Sequence, residues 1–204
     1  MDYYELTDDT KTLPNGTKVY RIRSTLAFAN IKKGELGGWV EHKGNLLYPA
    51  WVSDEACVSD EACVFGMARV SDKACVSDEA RVSDKACVFN DARVSDEACV
   101  FGSAWVSDEA RVSDEARVLG RARVFGKAWV SGEARVSGEA RVSDEACVSD
   151  EAIISDKARV FGRARVFGKA WVFDEAIISD KARVFGRASI SGKARVSENK
   201  MKSI

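Results

Sequence analysis

The sequence has little of what catalytic and membrane chemistry usually employs. Its 204 residues include one histidine and two prolines, with very little threonine, glutamine or leucine. No run approaches the ~20 consecutive apolar residues that span a bilayer. The opening residues, MDYYELTDDTKTLPNG, carry acids where a secretory leader has a basic and then an apolar segment. These absences predict a soluble cytoplasmic chain with no membrane partner. One histidine excludes a three-histidine zinc site of the hydratase kind. No Cys-x-x-Cys spacing occurs either. The six cysteines (Cys57, Cys63, Cys75, Cys87, Cys99 and Cys147) all fall in one recurring slot that elsewhere holds mostly Arg or Trp. In a cytoplasmic chain they are expected to be free thiols, with no metal and no cofactor.

What is present is a single repeated phrase. The 31 Lys and Arg nearly balance the 32 Asp and Glu, and Ala, Val, Ser, Asp, Glu and Arg recur in one order. From Ala50 onward the unit is A-x-V-[S/F]-[D/G]-x. Its aliphatic position falls at Val52 and every sixth residue to Val196, 25 times without an insertion, with Ile only at Ile154, Ile178 and Ile190. The phase extends back to Val40 and Leu46, which have Gly38 and Gly44 where the repeat has Ala, giving 27 units. Such a period signals a solenoid.

Ala and Val are separated by one residue, so on a short strand both face one side and the residue between them faces the other. Small and β-branched residues therefore point inward. Two residues after almost every Val of the repeat stands Asp, Asn or Gly, the residues that best tolerate positive φ. Each unit reads as a strand and a corner. Three units make an 18-residue coil of three flat sides, so 27 units make nine coils, a prism roughly 43 Å long at ~4.8 Å per coil. Periodicity is silent on its hand.

Residues 38–197 resemble the hexapeptide-repeat superfamily, whose fold is a left-handed parallel β-helix of triangular section. The segment VYRIRSTLAFANIKKGELGGWVE, residues 19–41, is also similar to the opening of uncharacterised bacterial and phage hexapeptide-repeat proteins. Those are often labelled transferases by fold, which is analogy, because function lives in sites and not in scaffolds. The expected fold is thus all-β, a single-stranded left-handed β-helix of about nine coils. Residues 1–37, with Tyr3, Tyr4, Tyr20, Leu26, Phe28 and Ile31, are expected to cap it. Residues 198–204 read as a short polar tail, leaving the last coil for another copy of the chain to cover.

The resemblance brings acyltransferase chemistry into view, with a histidine as general base and a protruding loop beside the acceptor pocket. Here the only histidine, His42, lies at the first corner, and no later unit carries a loop. A cysteine nucleophile lacks a neighbouring base. The glycines of GEARVSGEA and GRARVFGKA sit at corners and open no helix, so no phosphate-binding loop is formed. The repeats contain no Thr, which excludes flat threonine ladders.

The outer surface is more informative. Positions 18 apart stack, and one corner runs Glu61, Glu79, Glu97, Glu115, Glu133, Glu151, Lys169, Arg187, with Asp60, Asp78, Asp96, Asp114 and Asp150 beside most of the glutamates. Like charges at that spacing repel unless cations or a basic partner neutralise them. The row is either a solubilising stripe screened by arginines, an acidic docking edge, or a set of weak divalent-cation sites. Residues 51–115 carry a net charge of −9 and residues 156–204 a net charge of +7, a gradient open to ordinary drift, antiparallel self-pairing or an acidic ligand. Trp51, Trp105, Trp129 and Trp171 occupy the outward slot and eight Phe the slot after Val; Trp171, Phe173, Ile177 and Phe167 fall within one coil. The leading expectation is a non-enzymatic scaffold contacting a protein partner, basic in character, through Glu61, Glu79, Glu97, Glu115, Glu133 and Glu151 with Trp129, Trp171 and Phe173, and contacting itself. Nucleic acid is the less favoured partner. The alternative is an acyltransferase-like enzyme whose site forms between subunits around His42.

Overall fold

The repeat folds as its inward and outward slots require. In the computed structural model, which describes residues 2–197 and the backbone of Met201–Lys202, each unit is a two-residue strand followed by a turn. Strands 18 residues apart pair in parallel and in register, for instance Arg93 with Arg111 and Val94 with Val112. Three sheets of 12, 8 and 9 strands result, and the chain visits them in rotation through about nine turns. We call the sides first (Cys57–Val58 to Arg183–Val184), second (Cys63–Val64 to Ser189–Ile190) and third (Trp51–Val52 to Arg195–Val196). Met201–Lys202 adds a last rung to the first side.

The core is one continuous column. Every inner-slot Ala from Ala50 to Ala188 and every inner-slot Val or Ile from Val52 to Ile190 is buried. Alanine is used because three sides converge on a narrow axis, and valine because its branched side chain fills the pleat between rungs.

The corners close by a hydrogen bond such as Ala56 N–H to Ser53 C=O, 3.1 Å, around a residue held at positive φ. Corner Asp and Asn sit at φ 56–61°, and corner Gly at 64–77°. At Gly126 a Cβ would stand 2.8 Å from the amide nitrogen of Asp144 on the next coil, so that corner favours glycine.

The segment before the coils forms β1 (Tyr4–Thr12) and β2 (Lys18–Ser24), an antiparallel hairpin. β2 pairs antiparallel with β3 (Leu36–Val40), and β3 pairs in parallel with Cys57–Val58. The hairpin thereby extends the first side. Tyr3, Tyr4 and Phe28 are buried and pack edge-on, with Tyr3 and Phe28 centroids 5.3 Å apart and Phe28 5.6 Å from Trp51. Leu26 and Ile31 pack at the margin and Tyr20 is half-buried. Trp39 and Trp51, although in the outward slot, are only 8% and 5% exposed because hairpin and aromatics lie over them.

Glu55 ties the hairpin down. It accepts from Lys11 Nζ at 3.1 Å, Trp39 Nε1 at 3.1 Å and Arg21 Nη1 at 3.3 Å. The Lys11 hydrogen bond first, with the Trp39 donor and the charges of Lys11 and Arg21, holds its carboxyl below the usual carboxylate range. A lowered folded-state pKa means that the cluster stabilises above the unfolded value, near 4.5, and that this is lost as pH falls through the lower folded value. Glu55→Gln is expected to flatten that acid limb in pH-dependent thermal unfolding, by less than ~1 kcal/mol because the carboxylate is solvated.

Candidate docking edge

The three edges of the prism differ in how they handle charge. The first edge, between first and second sides, carries the third corner residues Glu61, Glu79, Glu97, Glu115, Glu133 and Glu151, one per coil. On the other two edges the equivalent position mixes acids with Lys and Arg, and four pairs form between neighbouring coils. Arg121 meets Glu139 at 3.5 Å, Lys193 meets Glu175 at 4.0 Å, Lys127 meets Glu109 at 3.6 Å and Arg163 meets Glu145 at 2.8 Å. Among the described residues, every repeat glutamate off the first edge has a cation within 4.0 Å. On that edge only Glu151 has one, Lys169 at 3.0 Å. Glu61 to Glu133 form an unneutralised row: each axial neighbour is another glutamate except Lys43 before Glu61, and Lys43 pairs with Asp2 instead.

The corner aspartates stand differently. Asp78 Oδ2 accepts from Asp96 N at 3.4 Å, Asp96 from Asp114 N at 3.3 Å, Asp114 from Gly132 N at 3.0 Å and Asp150 from Gly168 N at 2.8 Å. Asp60 Oδ2 accepts from Ser59 Oγ at 2.8 Å. The carboxylates of Asp78, Asp96, Asp114 and Asp150 are turned onto the backbone and stitch coil to coil, so the sequence's eleven-acid edge resolves into an inner aspartate ladder and an outer glutamate row.

Beside the row lies a shallow cleft of about 200 Å³ lined by Glu79, Glu97 and Glu115 with Arg81, Cys99 and Arg117. Arg81, Cys99 and Arg117 are successive rungs of the second side. The short cysteine leaves a notch between two guanidinium groups, and Cys99 Sγ donates to Glu97 O at 3.5 Å. Neither arginine comes within ion-pair distance of the glutamates. Among the described residues no three His, Cys, Asp or Glu side chains are grouped to hold a metal ion.

The aromatic residues distribute unevenly around this edge. Trp129, 48% exposed, stands on the first side and donates from Nε1 to Ser113 Oγ at 3.2 Å, two residues before Glu115, so it borders the row. Trp171, 49% exposed, stands on the second side with Phe173 5.0 Å away at the far edge of that side. Phe167 instead stacks on Phe185 of the next coil, centroids 5.3 Å apart and rings 10° from parallel, and Ile177 belongs to the third side. The one-coil aromatic group of the sequence is thus three separate surfaces. Trp105 is covered in part by Phe89 and by the Arg123 guanidinium, 5.1 Å from its ring.

His42 caps the short 3₁₀ turn Lys43–Asn45. Its Nδ1 accepts from Gly44 N at 3.1 Å and its Nε2 lies 3.0 Å from Asp60 O, a pattern that puts the ring proton on Nε2. Both nitrogens are occupied by backbone.

Sequence reasoning passed over one feature at the end that carries the N-terminal hairpin. Tyr48 is 60% and Met67 56% exposed, and with Phe28, Ile31, Trp51 and Arg69 they line a cleft of about 260 Å³. Both stand at irregular positions, one before Pro49 and one replacing a charged corner residue, and that departure from the repeat is the signal. No protein-family model matches the sequence, and no curated protein is similar to it.

Proposed function

We propose that the protein is a non-enzymatic binding and assembly scaffold, a rigid β-helical rod that presents the first-edge glutamate row to a basic protein partner. One observation carries this reading. The repeat neutralises its glutamates between coils on two edges and leaves Glu61 to Glu133 unpaired on the third. At the coil spacing, neighbouring carboxylates repel by about 0.9 kcal/mol per pair even at the dielectric of bulk water. Lysine and arginine side chains arriving at the row relieve that repulsion on binding. Trp129 beside the row and the Trp171–Phe173 pair on the adjoining side supply large contact area of the kind that dominates interface energetics. Association with a further copy of the chain through the C-terminal coil, a cytoplasmic setting, a mobile-element origin and the left-handed hexapeptide-repeat relationship belong to the same proposal.

The enzymatic alternative asks His42 to act as a base. The backbone engagement of both its ring nitrogens favours the scaffold reading, since a base needs a free lone pair facing substrate.

The test is capture from host lysate on immobilised protein, beside a variant carrying Glu79→Lys, Glu97→Lys and Glu115→Lys. A stoichiometric basic partner is expected on the wild type. The variant is expected to bind it about a hundredfold more weakly, from ~1 kcal/mol per lost contact. A partner retained equally by the variant, or no partner together with heat of binding on titration with acetyl-CoA, would overturn the proposal.

A further inference from the structure

Cys57 and Cys75 are the only two cysteines 18 residues apart. They stand on neighbouring rungs of the first side as an in-register parallel pair, side chains outward. The other four are separated: Cys87 lies between Arg69 and Trp105, Cys99 between Arg81 and Arg117, Cys147 between Trp129 and Arg165, and Cys63 beside Arg81. Parallel neighbours have Cα atoms ~4.8 Å apart, inside the range of about 4.4–6.8 Å that a disulfide spans.

The surroundings make the two thiols unequal. Cys57 is 5% exposed, packed with Val19 and Trp39 under the hairpin, while Cys75 sits at the margin of that cluster and is partly open. Cys57 Sγ donates to Glu55 O at 3.4 Å and Cys75 Sγ to Lys73 O at 3.6 Å; the adjacent Cys57 thiol first, then the charges of Arg93 and Lys11, hold the Cys75 thiol below the ordinary thiol range. The adjacent Cys75 and burial push the Cys57 thiol up. An accessible thiolate backed by a buried thiol is the arrangement of an attacking and a resolving cysteine.

We propose that Cys57 and Cys75 form a thiol–disulfide exchange site whose substrates are low-molecular-weight disulfides of the glutathione class. The Cys75 thiolate attacks one sulfur of the small disulfide. The S–S bond of that molecule breaks, one thiolate leaves, and a mixed disulfide forms on Cys75. Cys57 then gives up its proton to solvent or to the departing thiolate and attacks Cys75 Sγ, expelling the second small thiol. Two protein thiols are oxidised to one disulfide and one small disulfide is reduced to two thiols, so electrons and protons balance. The bond staples the second coil to the third. Side-chain origins ~4.8 Å apart exceed the mean Cβ separation of about 3.8 Å, so the disulfide is readily reduced again.

The folded full-length protein would be equilibrated with oxidised glutathione, alkylated, and read by intact mass and peptide mapping. The wild type is expected to lose two hydrogens, with Cys57 and Cys75 protected and Cys63, Cys87, Cys99 and Cys147 alkylated. Fragmentation assigns the link to Cys57 rather than Cys63, and dithiothreitol restores both thiols. Cys57→Ser is expected to stop at a glutathione adduct on Cys75, and Cys75→Ser to react at least tenfold more slowly without forming a bridge. Cys57 and Cys75 staying as alkylatable as Cys63 and Cys147 in the wild type, or Cys75→Ser reacting at the wild-type rate, would overturn the assignment.

Discussion

Replacing Gly38 by alanine is expected to lower stability by about 2–3 kcal/mol, the upper range for forcing extra volume into a packed site. Gly38 occupies the slot that alanine fills in later units, yet a Cβ there would lie 2.6 Å from Ala56 O, 2.7 Å from Val52 Cγ1 and 3.0 Å from Ser53 O. Two of those three atoms are backbone, so no rotamer change relieves the contact. Gly37 is as tight, with Ile22 Cγ1 at 2.5 Å and Val52 O at 2.6 Å from its notional Cβ. The pair marks where antiparallel β3 passes into the first coil and the chain comes closest to the coil after it. Gly38→Ala should therefore lift the hairpin from the prism. Thermal unfolding is expected to begin earlier, and limited proteolysis to cut between β1 and β3. Gly192→Ala is the control for backbone strain alone, since its Cβ would meet nothing within 4 Å while φ is 65°. It should cost only ~1–2 kcal/mol, without exposing the hairpin to protease. An unchanged unfolding profile for Gly38→Ala would contradict the packing described at the junction.

The aspartate ladder supports an ordered series at one corner. Asp150 sits at φ 59° and its Oδ2 accepts from Gly168 N at 2.8 Å. Asp150→Ala loses both the tolerance of positive φ, ~1–2 kcal/mol, and a charge-assisted hydrogen bond, ~1 kcal/mol, for a total of about 2–3 kcal/mol. Asp150→Gly restores the backbone and loses only the bond, so about 1 kcal/mol is expected. Asp150→Asn keeps an acceptor and the φ tolerance and should lie within ~0.5 kcal/mol of wild type. Urea midpoints by circular dichroism give the order directly. Alanine and glycine variants of equal stability would show that the corner residue is not chosen for its φ.

Much of this architecture is legible in the residues because the repeat has no insertions. The inward ladder of Ala110, Val112 and their equivalents follows from alternation on a strand, and positive φ at Asp54 or Gly66 follows from residue type. The glutamate row follows from the spacing of 18. What the row does with its charge was not legible without geometry. Whether an aspartate at a corner faces solvent or the next amide depends on a side-chain direction, and the sequence reading counted Asp78 and Asp96 as free acids. The burial of Trp51 was hidden because the residue that covers it, Phe28, comes from a segment without the period. β1 was equally obscure, since Glu5–Leu6–Thr7–Asp8–Asp9 alternates poorly and its pairing shifts register between Leu6 and Thr10. The stacking of Cys57 on Cys75 lay open in the same 18-residue arithmetic, but treating the six cysteines as equivalent concealed it. His42 was recognised as a corner residue, and its capping of the Lys43–Asn45 turn needed the coordinates.

The paired and unpaired glutamates make the docking account testable within one molecule. The measurement is titration calorimetry of the captured partner against the wild type and two triple variants of equal charge change. One carries Glu79→Gln, Glu97→Gln and Glu115→Gln on the first edge; the other carries Glu109→Gln, Glu139→Gln and Glu145→Gln on the neutralised edges. The account predicts binding weakened at least tenfold by the first set and left within about twofold by the second, because only the unpaired row is free to meet a cation. Equal weakening by both sets would mean that net charge alone governs association, and would contradict a docking edge at Glu61 to Glu133.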